Sequence, residues 1–337
     1  MNRRSGYKIM SKLITLIKPL IHYIIFAVVM GVLGFLCAIF IPVFGVIGIL
    51  TVLGINFTFS IKTIFTVLIL LAVFRGILRY GEQACNHYIA FRILAVIRDK
   101  VFTVLRKLCP AKLEGQDKGN LISLITSDVE LLEVFYAHTI SPILIALMVS
   151  IIMVLFIGSF SPMLGIIAIL AYFFVGVIIP VVNSKKIKNS GLTYRNKAGE
   201  LNSLFLDSLR GLQELLQFSF TEERKSEIAK KTSESKALHK KLKIGEISSR
   251  NFTEGTVFVF NIIMIITASI LYFNNKIDFS EMVISITALV SSYGPVIALS
   301  NLSNNLAQTL ASGDRVISLL EEEPVVAEIE NGIDKNF

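Results

Sequence analysis

Apolar residues recur along the chain in runs of about 20 or more, separated by polar segments of very different lengths. Such runs predict transmembrane helices, because a helix needs about 20 apolar residues to cross the hydrocarbon core of a bilayer. We therefore expect an all-α membrane protein with six spans. Their approximate extents are 19–50, 61–108, 121–157, from 163 onward, 252–273 and 279–310.

The second span is far longer than a bilayer requires. Its helical pattern continues from Ile61 to Leu108 through RYGEQACNHYIAFRILAVIRDKVFTVLRKL. About 50 helical residues measure about 75 Å, more than twice the thickness of the hydrocarbon core. The excess is predicted to stand in water as one arm of a helical hairpin, which breaks near Cys109-Pro110 and resumes at Leu121.

A second long polar hairpin joins spans four and five. It has a predicted break within 204–215, followed by the charged helix TEERKSEIAKKTSESKALHKKLKIGE, which lacks a continuous apolar stripe. Such a helix is typical of solvent rather than membrane. In contrast, the turns at 158–162 and 274–276 are short. The pattern predicts six long transmembrane helices with two cytosolic helical hairpins.

Composition and charge support this topology. The 337 residues are 53% hydrophobic and only 17% charged, which is too few charges to cover a soluble domain. Basic residues concentrate in 3–18, 92–118 and 185–250, whereas the opposite ends of the spans carry only Lys62 and Lys276. This asymmetry predicts a multi-pass protein of the inner or plasma membrane, with a cytoplasmic N-terminus. Although the net charge is +8, this distribution of basic residues argues against a nucleic acid as the binding partner.

The first 17 residues predict a short amphipathic helix on the cytosolic membrane surface. Basic residues alternate there with apolar residues at helical spacing: Ile9, Leu13, Ile14 and Ile17. The cysteines Cys37, Cys85 and Cys109 lack metal-ligand spacing, so neither a metal site nor a disulfide is expected.

Three stretches resemble the transmembrane domain of ABC exporters of the six-helix, domain-swapped type. They are GNLISLITSDVELLEVF, SLRGLQELLQFSFTEE and GPVIALSNLSNNLAQTLASGDRVISLLEEEP, and their order and spacing match that family. The first stretch departs from the pattern, since Ser123 or Leu124 stands where the family often has Arg. The resemblance implies an elbow helix at 1–17, the membrane domain at 18–312 and, at 313–337, the start of a linker towards an ATP-binding domain.

Within that family, RYGEQACNHYIAFRILAVIRDKVFTVLRKLCP and DVELLEVFYAHTISPI are most similar to the CydC-type half of heterodimeric thiol and haem exporters linked to cytochrome bd assembly. The resemblance implies a second transmembrane half as partner and a small thiol (cysteine or glutathione) or haem-related substrate. Alternatives are a lipid, drug or peptide exporter half, or a non-transporting membrane scaffold or regulatory subunit.

The sequence contains neither a phosphate-binding Gly-x-x-x-x-Gly-Lys-Ser/Thr loop nor a Leu-Ser-Gly-Gly-Gln signature. ATP is therefore expected to act through an ATP-binding domain, either a separate chain or a part missing from this one. The hairpin turns are the expected coupling helices that seat in such domains, although ordinary loops are an alternative. The candidate contact residues are Glu114, Gln116, Asp117, Asp207, Ser208 and Arg210.

Polar side chains within span two suggest a substrate cavity. On a helical wheel, one arc of about 140° holds Arg75, Arg79, Glu82, Gln83, Asn86 and His87. Ionisable residues inside a membrane are functional by default, and Arg75 and Arg79 would attract an anionic group. His87 is a candidate axial haem ligand. Alternatively, Arg79 and Glu82 form an i,i+3 pair packed against a neighbouring helix, with His87 simply at the interface.

Span six offers a second polar row at helical spacing. Asn301, Asn304 and Asn305 are candidates for the same cavity. They serve equally well as partners in hydrogen bonds between helices, each of which contributes about 1 kcal/mol or less.

Overall fold

A computed structural model describes most of the chain: residues 6–55, 59–109, 122 and 124–324. Within these ranges only the helix, and not the side chains, is described at 6–7, 183–192, 195–196 and 300–308. Regular secondary structure in the described part is entirely helical.

The helices are α1 (Gly6–Leu16), α2 (Ile21–Val52), α3 (Ile61–Leu108), α4 (Val129–Phe135), α5 (Ser141–Phe160), α6 (Pro162–Phe173), α7 (Ile179–Arg210), α8 (Leu212–Gln217), α9 (Thr221–Phe273), α10 (Phe279–Ser292) and α11 (Gly294–Leu320). A short 3-10 turn, Lys18–Leu20, joins α1 to α2. Wider π-helical turns occur at Leu124–Asp128, Tyr136–Ile140 and Phe174–Ile178.

In the described part of the chain, six helical segments are long and apolar enough to cross a membrane, which confirms the predicted number of spans. They are Lys18–Val52, Ile61–Leu108, Leu124–Phe160, Pro162–Val182, Thr221–Phe273 and Phe279–Leu299. Helix α3 has 48 residues and α9 has 53, so both extend well beyond a bilayer. The chain is therefore a multi-pass membrane protein with two very long helices.

The ends of these helices follow local chemistry. Helix α3 begins where the Ser60 hydroxyl accepts a hydrogen bond from the Thr63 amide at 3.3 Å. It ends at Cys109, whose backbone is extended, as predicted. The second predicted break lies at Gly211, and a further turn at Ser219 has a φ of 58°. These breaks reverse the chain between α7 and α9.

Span six contains an interruption that the sequence analysis did not predict. Helix α10 ends at Ser292 and α11 begins at Gly294, so Tyr293 lies outside both. Pro295 explains the break, because it has no backbone N–H to donate to the Ser291 carbonyl; Tyr293 itself keeps helical dihedral angles.

The described chain divides into two compact units, Met1–Val149 with Asn305–Phe337, and Ser150–Asn304. In the first unit, an apolar core joins α1, α3, α4 and α11. Ile9, Leu13 and Ile17 of α1 are buried in this core, whereas Ile14 is 48% exposed. The predicted amphipathic helix is present, but most of its apolar stripe packs against protein rather than facing the membrane.

The second unit contains a tight hairpin of α5 and α6, connected by Ser161 alone. A Cβ atom added to Gly165 would lie 3.0 Å from the Gly158 Cα atom, so the two helix backbones are nearly in contact. In the same unit, the hydroxyls of Tyr172 and Ser292 are 2.5 Å apart. This hydrogen bond ties α6 to the end of α10, beside the interruption.

Candidate functional site

A seam of glycines brings α2 and α3 close together in the first unit. A Cβ atom on Gly34 would lie 3.5 Å from the Leu78 Cβ, and one on Gly81 would lie 2.6 Å from the Met30 Cε. A Cβ on Gly31 would lie 3.3 Å from the Glu82 Cδ. A Cβ on Gly31 would also lie 2.3 Å from Ile145 Cδ1, so the missing side chain leaves space that Ile145 and the carboxyl group of Glu82 share.

Glu82 occupies this space and is only 3% exposed. Arg79 Nη1 donates to Glu82 Oε2 at 2.5 Å, and Asn86 Nδ2 donates to Glu82 Oε1 at 3.4 Å. A buried carboxylate requires such partners, because an unpaired charge in a membrane interior is very costly. We call Arg79, Glu82 and Asn86 the Glu82 cluster. It contains the i,i+3 pair that the sequence allowed as an alternative to the cavity.

The side-chain oxygen of Asn86 is a hydrogen-bond acceptor that is not used within the cluster. The residue is 2% exposed, and its Oδ1 atom has no hydrogen-bond partner in the described part of the chain. A buried polar atom without a partner costs about 1–3 kcal/mol and calls for a bound water or ligand. The cluster therefore combines a balanced charge with one free hydrogen-bond acceptor.

The outer edge of the predicted arc is more open. The Arg79 side chain is 52% exposed, and its Cζ lies 5.6 Å from the centroid of the Phe35 ring, a cation–π contact. Arg75, one turn earlier, is exposed and has no acidic partner among the described residues. This side of α3 thus carries the guanidinium of Arg75, unpaired among the described residues, and the exposed part of the Arg79 guanidinium, which is paired with Glu82.

His87 lies apart from the carboxylate of Glu82. Its Nδ1 is 3.9 Å from Glu133 Oε1, and its ring stacks on Phe91 with centroids 6.1 Å apart. The His138 ring lies edge-on at 6.0 Å. In the described part of the chain, no group of three or more His, Cys, Asp or Glu side chains is arranged to hold a metal ion. The arc thus divides into a buried centre and an exposed aromatic edge.

A second buried charge joins two stretches of the chain that are far apart in the sequence. Arg315 Nη1 lies 2.8 Å from Asp128 Oδ2, and the Ser312 hydroxyl donates to Asp128 Oδ1 at 2.9 Å. Asp128 belongs to the SDV motif and Arg315 to the GDR motif near the end of α11. No helical periodicity could relate residues so distant in sequence.

The turn between α7 and α9 presents apolar side chains to solvent. Asp207 and Arg210 are exposed there, whereas Ser208 is buried and donates to the Leu204 carbonyl at 2.6 Å. Five neighbouring apolar residues are about half exposed or more, and we call them the tip surface: Phe205, Leu209, Leu212, Leu216 and Phe218. An exposed apolar patch at the end of polar helices indicates a protein partner.

Other predicted site residues are not described. Glu114, Gln116 and Asp117 lie outside the described residues, as do the side chains of Asn301, Asn304 and Asn305 on α11. Their proposed roles remain predictions.

Comparison with known proteins agrees with this architecture. A family model described as the ABC transporter transmembrane region matches residues 20–296. A probable ABC transporter ATP-binding/permease protein of Haemophilus influenzae is 48% identical over 332 residues, covering 98% of this chain and 60% of the relative. This chain thus spans less than two thirds of that relative's length.

Two more distant relatives carry a more specific name, the glutathione/L-cysteine transport system ATP-binding/permease protein CydC. The protein from Haemophilus influenzae is 24% identical over 266 residues, which are 76% of this chain and 45% of the relative. That from Escherichia coli is 28% identical over 163 residues, 47% of this chain and 27% of the relative. The family match covers most of the chain and all the described helices from α2 to α10, and the chain belongs to the ABC transporter transmembrane family.

Proposed function

We propose that the chain is the membrane-spanning permease part of an ATP-driven exporter. The observation that carries this proposal is the tip surface, an apolar patch at the end of the 53-residue helix α9. An ATP-binding domain would seat on it, and closure of two such domains would move the long helices as levers. Relatives named as ATP-binding/permease proteins support this partner.

The division of the chain follows from this role. Residues 1–17 form a cytosolic elbow segment, 18–312 the transmembrane domain and 313–337 the beginning of the linker. The protein sits in the inner or plasma membrane with its N-terminus in the cytoplasm, because the basic residues cluster in the N-terminal segment and the two long hairpins.

The substrate is a small compound with a carboxylate group, and a thiol such as glutathione or cysteine is the leading candidate. Arg75 is exposed and has no acidic partner among the described residues, and the Arg79 side chain beside Glu82 is 52% exposed. The Oδ1 of Asn86 has no hydrogen-bond partner in the described part of the chain. The names of the CydC relatives support this class. A second, homologous transmembrane half completes the transporter as a heterodimer.

Haem is a second candidate ligand, favoured by one observation. The imidazole of His138 lies edge-on to that of His87 with ring centroids 6.0 Å apart, so His87 is not an isolated histidine. Neutral imidazole is a common axial ligand of haem iron. Equal haem binding by the wild-type protein and by His87→Ala and His138→Ala would exclude this role.

The partner and the transport activity can be tested together. The protein would be reconstituted with its ATP-binding domain in liposomes, and ATP hydrolysis and uptake of glutathione or cysteine would be measured. Leu216→Asp places a charge on the tip surface, where Leu216 is 62% exposed; the matched control is Ile244→Asp, at a residue 57% exposed on α9.

We expect Leu216→Asp to abolish transport while ATP hydrolysis persists, and Ile244→Asp to leave both unchanged. Normal coupling in Leu216→Asp would contradict the assignment of the tip surface. If ATP hydrolysis in the wild type responds to neither thiol, the substrate class is wrong. A purified protein without any associated ATPase would favour the scaffold alternative.

A further inference from the structure

A cavity of about 440 Å³ opens in the first unit between α1, α3 and α11. It shares no residue with the Glu82 cluster or the tip surface. Its polar lining comes from Lys12 and Thr15 of α1, Lys100 and Thr103 of α3, and Glu321 just after α11. Its volume lies in the range of small-molecule sites in proteins.

The charges in this cavity are unevenly matched. Lys12 forms an ion pair with Glu321, which also lines the cavity. Lys100 is exposed and has no acidic partner in the described part of the chain. The cavity therefore has one uncompensated ammonium group, and a second that is shared with a carboxylate. This arrangement suits a monovalent anion.

The two threonines add a more specific preference. The hydroxyl of Thr15 donates to the Ser11 carbonyl at 2.9 Å, and that of Thr103 donates to the Asp99 carbonyl at 2.9 Å. Their protons are engaged within their own helices, so their oxygens are left to accept hydrogen bonds. A ligand that combines an anionic group with hydroxyl donors therefore matches both the lysines and the threonines.

The remaining walls are apolar, with Leu16, Val104 and Ile317 among them. The lipid-facing part of α2 begins close by, since Ile21 is 57% exposed and Ile25 is 59% exposed. Only four residues separate Leu16 from Ile21. The headgroup layer of a bilayer is about 5–8 Å thick on each side, so this short connection keeps Leu16 close to that layer. The α1 side of the cavity thus lies next to the lipid-facing surface of α2, within reach of a phospholipid headgroup.

We propose that this cavity binds an anionic phospholipid with a hydroxyl-bearing headgroup, such as phosphatidylglycerol. Lys100 holds the phosphate, the headgroup hydroxyls donate to Thr15 and Thr103, and the first methylene groups of the acyl chains cover Leu16 and Val104. Lys12 is divided between the lipid and Glu321, so bound lipid weakens the link between α1 and the end of α11. This site does not depend on the proposed transport activity.

The test uses the full chain in a neutral detergent and native mass spectrometry. The probes are palmitoyl-oleoyl phosphatidylglycerol, palmitoyl-oleoyl phosphatidylcholine and inorganic phosphate. Lys100→Gln removes the unpaired charge, and Glu321→Gln releases Lys12 from its ion pair. Arg106→Gln is the control, because Arg106 is exposed on the same helix but outside the cavity.

We expect one phosphatidylglycerol to be retained in preference to phosphatidylcholine. Lys100→Gln should weaken this binding about fivefold, the effect of one lysine near an anionic lipid surface. Glu321→Gln should strengthen binding, and Arg106→Gln should leave it unchanged. Equal retention of the two lipids, or equal effects of Lys100→Gln and Arg106→Gln, would overturn the proposal. Displacement of the lipid by millimolar phosphate would assign the site to a soluble anion instead.

Discussion

The guanidinium of Arg315 lies 2.8 Å from the carboxylate of Asp128 and joins the last helix to the π-helical turn before α4. The Asp128 side chain is 8% exposed and that of Arg315 is 44% exposed. The Ser312 hydroxyl donates to the other carboxylate oxygen at 2.9 Å. These two contacts fix the end of α11 against the core of the first unit.

Loss of the Asp128 charge should destabilise the first unit. Asp128→Asn keeps the shape of the side chain but removes the buried negative charge that Arg315 contacts, and we expect a cost of about 1–3 kcal/mol. Thermal unfolding in detergent would measure it. The control is Arg98→Gln, since Arg98 is 3.8 Å from Glu130 and both side chains are exposed; its cost should be under about 1 kcal/mol. Equal effects would contradict a structural role for the buried pair.

Helix α1 supplies a second test through two adjacent residues. Leu13 is 0% exposed, whereas Ile14 is 48% exposed. Leu13→Ala should cost about 2–5 kcal/mol of stability, because it leaves a cavity in the core. Ile14→Ala should have little effect. Similar melting temperatures for the two variants would mean that α1 does not pack as described.

Two glycine substitutions should have effects of opposite sign. Gly165→Ala places a Cβ 3.0 Å from the Gly158 Cα, so a helix backbone must move and stability should fall. Gly45→Ala meets no atom within 4 Å and should raise stability by about 0.5–1 kcal/mol, because alanine favours helix more than glycine does. Melting temperatures that move in the same direction would contradict the close packing of α5 and α6.

Asn86→Leu separates a packing role from a binding role for the Glu82 cluster. Leucine has a similar volume and removes an amide oxygen that is buried without a partner, but it also removes the long, 3.4 Å hydrogen bond to Glu82 Oε1. These two effects oppose each other, so stability should change by less than about 1 kcal/mol. If that oxygen accepts a hydrogen bond from substrate, substrate-stimulated ATP hydrolysis should fall in the same variant. Parallel loss of stability and activity would instead indicate packing alone.

The hairpin of α7 and α9 should weaken in acid. The hydrogen bond that Lys197 donates to Glu200 at 2.8 Å lowers the pKa of that carboxyl, and Lys231 of α9 lies 3.9 Å away. A lowered pKa stabilises the folded state above the unfolded pKa of about 4.3, and this contribution disappears as the pH falls through the folded value. The melting temperature of Glu200→Gln should approach that of wild type below about pH 4. A constant difference between pH 7 and pH 3 would refute this linkage.

Periodicity and length were sufficient for the main helices. The six spans, the length of α3 and its end at Cys109 all follow from hydrophobic pattern and from Pro110. The Gly294-Pro295 step carried a clear signal for the interruption at Tyr293, although the sequence analysis extended span six through it. Proline and glycine residues therefore carried the signal for the places where helices end.

Contacts between helices could not be predicted from the sequence in the same way. The apolar stripe of α1 shows that one side of the helix is buried, but lipid and protein favour the same residues. The pairing of Asp128 with Arg315 and the space that Gly31 leaves for Glu82 depend on which helices are neighbours. The three π-helical turns have no periodic signature, because each adds a single residue to a turn.

The single residue between α5 and α6 has a consequence for biogenesis. Ser161 is too short a connection for one helix to wait in water while the other enters the bilayer, and the contact of Gly158 with Gly165 keeps the pair closed once formed. The two helices should leave the insertion machinery together, as one hairpin. A topology tag placed at Ser161 would disturb the protein that it is meant to report on, whereas the connection from Leu53 to Ser60 has room for one.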